Sequence, residues 1–211
     1  MNYLSFNKMT FKTKQAGEHL RIKAESEGYS LIIIDSEPMN WISITFDLPL
    51  SNNMEVMVTG RDIKDYNSSI REISLDPSKV YVEIGAGIGE FIPLVVQQNP
   101  IQRPVVIDPV NYALMLEMLQ CAEEFSVRED TRQRLQTYQE RCKTILNQEK
   151  VCLINCRLED ALNKHPELKR TADVVIDHYA AAYHSNDEDA VLSLEIKLLK
   201  PSGKIYSSMR K

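Results

Sequence analysis

From residue 79 onward, short apolar runs alternate with stretches of helical spacing. That alternation limits what the chain can fold into more than any other feature. Runs at 80–84, 105–107, 151–155, 172–176 and 204–207 read as strands. The residues at 90–98, 111–124, 130–149, 159–164 and 186–199 read as helices. A strand that reaches the next through a helix runs parallel to it. The pattern therefore predicts an α/β domain, a doubly wound and mostly parallel sheet with helices on both faces. The turn LKPSGK leads into the last of these strands.

The grammar is different before residue 75. Residues 15–27 (QAGEHLRIKAESE) predict a short helix closed by Gly28. Runs at 31–35 (LIIID), 41–46 (WISITF) and 54–59 (MEVMVT) are separated by the turn-formers SEPMN and PLSNN, which predicts a small antiparallel meander. Residues 61–73 (RDIKDYNSSIREI) predict a helix, and LDPSK a turn. Two domains are expected, 1–74 and 75–211.

With 43% apolar residues in 211, the chain can bury one sizeable core and a small appendage. Its net charge of −5 disfavours a nucleic-acid or anionic-membrane partner held by bulk charge, although the first thirty residues carry a small positive excess. No apolar run is long enough to span a membrane, and the N-terminus lacks a signal-peptide core. Cys121, Cys142, Cys152 and Cys156 show no zinc spacing. Cys152 and Cys156, four apart in an expected strand, would lie roughly 13 Å apart, beyond disulfide reach. A reduced, cytoplasmic protein without a metal is expected.

The first strand of the α/β region runs into Gly85-Ala86-Gly87-Ile88-Gly89. A glycine turn at a strand's carboxyl end lets backbone approach a ligand closely. A phosphate loop would need GxxxxGK[ST], and no lysine follows. A dinucleotide fingerprint needs GxGxxG, but Glu90 stands at the third-glycine position, where its charge would repel a pyrophosphate.

The stretch VEIGAGIGEF resembles motif I of the class I S-adenosylmethionine (SAM)-dependent methyltransferases, and four further segments match that family in order. Asp108 ends the second strand, CRLEDAL (156–162) follows the third, ADVVID (172–177) is the fourth, and LLKPSGKIY (198–206) brings in the fifth. The resemblance covers about 79–208 and implies a Rossmann-like fold with SAM as cofactor. It implies that Glu83 lies near the methionine ammonium, that Gly85, Ala86, Gly87 and Gly89 shape the backbone cradle, and that Asp108 accepts from the ribose diol, good charge-assisted geometry. A plain helix cap is the alternative for Asp108. Leu158 would supply an adenine wall and a backbone N–H, and Asp177 would close the fourth-strand motif. The usual acid or amide adenine contact is replaced by the sequence Asn155, Cys156, Arg157, Leu158.

In this fold the methyl acceptor faces the end of the fourth strand, which here reads Asp177-His178-Tyr179-Ala180-Ala181-Ala182-Tyr183-His184. Methyl transfer needs alignment and water exclusion, and some acceptors also need a base. His178 is the candidate base with Tyr179 beside it, and Tyr183 and His184 are candidate acceptor contacts. The amino-methylation motif [DN]PP[YFW] and a Pro-Cys nucleophile are both absent. The expected reaction is O- or N-methylation of a small molecule or protein. The alternative is a catalytically inert binding or scaffold protein of the same fold.

The family's sheet normally ends in two further strands, whereas this sequence stops after the fifth. A bare edge invites aggregation. The meander at 31–59 is therefore expected to cover that edge or act as a lid, and a homodimer contact is the other means of shielding it.

Overall fold

A computed structural model describes residues 2–6, 9–16, 19–24, 30–36, 41–49, 55–125 and 128–208. The chain forms two compact units, one of residues 1–60 with 111–143, the other of 61–110 with 144–211. The two units divide at Gly60, and the segment 111–143 is grouped with the N-terminal residues.

In the first unit, β1 (Asn2–Phe6), β2 (Met9–Ala16), β3 (His19–Ala24), β4 (Ser30–Ser36), β5 (Trp41–Pro49) and β6 (Glu55–Thr59) form one antiparallel sheet in chain order. The expected meander is its second half. The helix expected at 15–27 is not formed: 15–16 end β2 and 19–24 are β3, while 25–27 and Gly28 lie outside the described residues. Leu20, Ile22 and Ala24 alternate with Arg21 and Lys23, a period of two, and β3 is laddered on both sides. Backbone pairing on two flanks outweighs the modest helix propensity of the segment.

The second unit begins with a single 3₁₀ turn at Ile63–Asp65 and α1 (Ser68–Arg71), in place of the helix expected at 61–73. Tyr66 and Asn67 between them are extended, and their side chains are spent on Glu83 and Ser208. Then follow β7 (Tyr81–Ile84), α2 (Phe91–Gln97) and β8 (Val105–Ile107). Helices α3 (Tyr112–Phe125) and α4 (Glu129–Leu146) fill the long connection to β9 (Cys152–Ile154). The chain continues through α5 (Leu158–Lys164), β10 (Ala172–Asp177), α6 (Ala181–His184), α7 (Glu188–Leu198) and β11 (Leu199–Ser207).

These five strands form an all-parallel sheet in the order β11-β10-β7-β8-β9. Chain order reverses between β7 and β10, which makes their carboxyl ends a topological switch point, the place where open α/β sheets bind ligands. As befits a doubly covered sheet, Val82, Val105, Val106, Ile107, Val175 and Ile176 are buried. Leu158, Ala161, Leu162, Val191 and Leu198 of α5 and α7 share one core cluster with the strands. The LKPSGK turn is a bulge inside β11: Ala172 pairs with Leu199 and Val174 with Lys204. Among the described strands β11 pairs with β10 alone, so the expected strand cover from 31–59 is not formed. All four cysteines are free, and no helix among the described residues is long and apolar enough to cross a membrane.

Candidate functional site

The tips of the sheet are tied together in register. Ile84 lies opposite Asp177 and Ile107. Gly85 N donates to Ile107 O at 2.9 Å, and Asp108 N to Ile154 O at 3.1 Å. Gly85 and Gly87 adopt φ of +59° and +53°, a left-handed backbone that glycine enters at little cost. This turn lets Gly87 N reach Asp108 Oδ2 at 2.9 Å, while Val110 N donates to Asp108 Oδ1 at 2.9 Å. Asp108 is therefore at the glycine turn as expected, but it is buried and binds the turn through its own carboxylate.

Asn155 stands just past β9 and braces this corner. Its Nδ2 donates to the carbonyl oxygens of Asp108 at 3.0 Å and Val110 at 2.6 Å. Leu158 begins α5 and is buried, as is Ala86. Gly89 N donates to Ala86 O, and a Cβ on Gly89 would lie 2.2 Å from the Tyr66 hydroxyl.

Glu83 is 1% exposed. Tyr66 Oη donates to its Oε1 at 2.9 Å, and its Oε2 has no hydrogen-bond partner among the described residues. Burial raises its pKa to about 7, with Arg61 and the Tyr66 hydrogen bond pulling the other way. Burial, and then Glu83 itself, also push the Tyr66 phenol well above its ordinary range.

Residues 61–67, which carry no motif, form a strap over the switch point. The Arg61 guanidinium donates to the carbonyl of His178 and to that of Gly85 at 3.2 Å, bridging the ends of β10 and β7. Glu90 holds the strap from the other side: its N donates to Arg61 O at 2.9 Å and its Oε2 accepts from Ile63 N at 2.6 Å. The acid that excluded a pyrophosphate thus anchors the strap.

His178 is buried, and both ring nitrogens are engaged. Nε2 lies 3.4 Å from Asp65 O, which can only accept, so Nε2 carries the proton. Nδ1 then accepts from Ser208 Oγ at 2.8 Å, and Ser208 Oγ accepts from Asn67 Nδ2 at 2.8 Å. Burial, then Arg61, lowers the His178 pKa to about 4, so the ring is neutral at pH 7. It stacks on Tyr66 with 4.8 Å between centroids. The ring is thus held as a brace, with neither nitrogen presented to an acceptor.

Tyr179 is the open member of the expected cluster, 47% exposed and at φ +55°. A non-glycine residue in this region stores strain, as loops at functional sites often do. Tyr183 meets its ring edge-on at 5.2 Å. His184 ends α6, and its side chain lies outside the described residues.

Asp177 accepts from Ala180 N at 3.0 Å and Ala182 N at 2.7 Å, which fixes the turn that carries Tyr179. Behind it Glu195 of α7 is wholly buried, and neither of its carboxyl oxygens has a hydrogen-bond partner among the described residues. Two neighbouring carboxyl groups cannot both ionise in a dry site. Burial, and then the nearby Asp177 carboxyl, raise the Glu195 pKa, so of the two acids Glu195 is the one that favours the protonated form. Sequence reading missed Arg61, Tyr66, Asn67, Glu195 and Ser208; each depends on tertiary contact, and no local spacing signals it. No group of residues able to hold a metal occurs among those described.

The chain matches no family model and no curated protein.

Proposed function

We propose that the chain binds SAM at the β7–β8–β10 tips and transfers its methyl group to an oxygen or nitrogen of a small molecule or protein. One observation carries the reading. The glycine turn and Asp108 meet at adjacent strand ends, Gly87 N to Asp108 Oδ2 at 2.9 Å, beside a buried acid with one unpartnered oxygen. Glu83 and Arg61 supply opposite charges at one crevice, the pattern a zwitterionic amino-acid tail requires. The unpartnered Glu83 Oε2 suits an ammonium. Asp108 suits a ribose diol once the turn relaxes its hold, and Leu158 supplies an apolar wall. SAM, when bound, supplies a methyl group made electrophilic by the sulfonium. The chain's part is to orient it and exclude water, with Tyr179 and Tyr183 nearest the acceptor.

A second reading is supported by the strap and by His178: a protein of this fold that binds without turnover. Arg61 and Tyr66 lie over the crevice, and both His178 nitrogens are committed to structure. Calorimetry with SAM, S-adenosylhomocysteine and NAD tests the first point. SAM binding without NAD binding is expected, and no heat with either adenosyl ligand sinks the methyltransferase reading. Methyl transfer from labelled SAM across O- and N-acceptor panels separates the two.

A further inference from the structure

The glycine turn is filled by the protein's own groups. A Cβ on Gly89 would lie 2.2 Å from the Tyr66 hydroxyl, and one on Gly85 would lie 2.4 Å from the Ala180 Cβ. The same hydroxyl donates to Oε1 of Glu83, the acid proposed for a ligand's ammonium. Tyr66 thus stands on the cradle and on its acid at once. It is the buried member of 61–67: Arg61, Asp62 and Ile63 are half-buried, and Lys64, Asp65 and Asn67 are exposed. The strap is held by polar bonds and one aromatic anchor, with little apolar burial to resist opening.

Its bonds divide at Arg61. Glu90 N donates to Arg61 O at 2.9 Å, a link between backbones. Beyond that link, Glu90 Oε2 accepts from Ile63 N at 2.6 Å, Asp65 O lies 3.4 Å from His178 Nε2, and Asn67 Nδ2 donates to Ser208 Oγ. Ile70 of α1 is buried again and fixes the far end. Residues 62–67 therefore form a short flap between two fixed points. The Arg61 guanidinium rests on two neutral oxygens, the carbonyls of His178 and Gly85. A carboxylate, charged and able to take two N–H groups side by side, is a stronger partner for it.

We propose that residues 62–67 are an autoinhibitory flap over the adenosyl crevice, displaced when the ligand's amino-acid tail takes Glu83 from Tyr66 and Arg61 from the two carbonyls. The inference rests on the adenosyl reading above. A ligand shifts such an equilibrium only through contacts that differ between the two states. Here the tail brings an ammonium to an acid bonded to a phenol, and a carboxylate to a guanidinium bonded to backbone. Both exchanges favour the ligand, and Tyr66 must leave for the first. Adenosine, which lacks the tail, makes neither exchange and should leave the flap shut.

Two variants cut one flap bond from opposite ends. Glu90→Ala removes the acceptor, and since the Glu90 side chain does not cap α2, the helix loses little. Ile63→Pro removes the donor and keeps the charge. Ile63 opens the 3₁₀ turn and Asp62 before it is extended, at ψ 158°, a setting that admits proline. A hydrogen bond to a charged group corresponds to roughly a tenfold to hundredfold change in an equilibrium constant. In calorimetry both variants should therefore bind S-adenosylhomocysteine at least about tenfold more tightly than the unaltered chain. Hydrogen exchange at 62–67, read by mass spectrometry, should be faster in both. In the unaltered chain S-adenosylhomocysteine should speed exchange at 62–67 and slow it at 85–89, whereas adenosine should not speed it at 62–67. Affinity that rises in neither variant overturns the flap and leaves the adenosyl reading standing. So does slower exchange at 62–67 on binding, the mark of a cover that closes over its ligand. No binding by any of the three proteins overturns the adenosyl reading and the flap with it.

Discussion

Replacing Gly85 with alanine tests how tightly the tips of β7 and β10 are fitted together. A Cβ built on Gly85 would lie 2.4 Å from the Cβ of Ala180, whereas carbons in contact sit roughly 3.5–4.0 Å apart. Overpacking of this kind costs about 1–3 kcal/mol. The backbone adds a separate cost, because Gly85 is at φ +59°, where a residue with a Cβ loses about 1–2 kcal/mol. Together Gly85→Ala should destabilise by about 2–5 kcal/mol. With a urea dependence of about 2–3 kcal/mol per molar, the midpoint should fall by about 1–2 M. Ala180→Gly removes the clash and leaves the dihedral cost, so the double variant should recover about 1–3 kcal/mol. Urea unfolding of all four proteins, followed by circular dichroism, completes the cycle. Additive effects of the two substitutions would show that the turns do not meet and would remove the basis of the site.

Glu83→Gln tests the buried acid. The folded state holds the Glu83 proton up to about pH 7, while the unfolded chain releases it near the ordinary glutamate value of 4.5. Between these values the native state binds more protons, so stability falls as pH rises through the window. This should amount to about 3 kcal/mol at most, and the fall should be shallower in Glu83→Gln when urea midpoints at pH 5 and pH 8 are compared. Ser208→Ala leaves His178 Nδ1 without its donor and should cost about 1–3 kcal/mol. If His178 is a brace, turnover by the folded fraction should be unchanged. Asp108→Ala loosens the Gly87 amide and should abolish SAM binding by calorimetry, as should Gly85→Arg; retained affinity in both excludes the proposed pocket.

The parallel sheet was legible because its strands are buried on both faces. Runs such as VYVEI and ADVVID are mostly apolar, with acids only at isolated positions, and their alternation with helices leaves few topologies. The glycine turn and Asp108 were legible for the same reason: strand ends bring them together wherever the side chains later settle. The strap was not. RDIKDYN has helical composition, and its extended Tyr66 and Asn67 follow from bonds to Glu83 and Ser208, 17 and 141 residues away. Residues 15–24 are ambiguous because Leu20 and Ala24 stand at helical spacing while Ile22 between them completes a period of two, and only the flanking ladders decide. The role of His178 was hidden likewise, since its partners come from the strap and from the end of β11.

Asp177 and Glu195 carry a consequence for the acceptor side of the crevice. The loop bearing Tyr179 is moored by a carboxylate, and behind that carboxylate lies a second buried acid, Glu195, whose burial and nearness to Asp177 favour its protonated form. Alkali strong enough to strip that proton leaves two anions facing each other where water does not enter. The mooring then slackens from behind, through α7, with no change in any residue that touches a ligand. Chemistry at this mouth should accordingly fade on the basic side before the sheet beneath it melts.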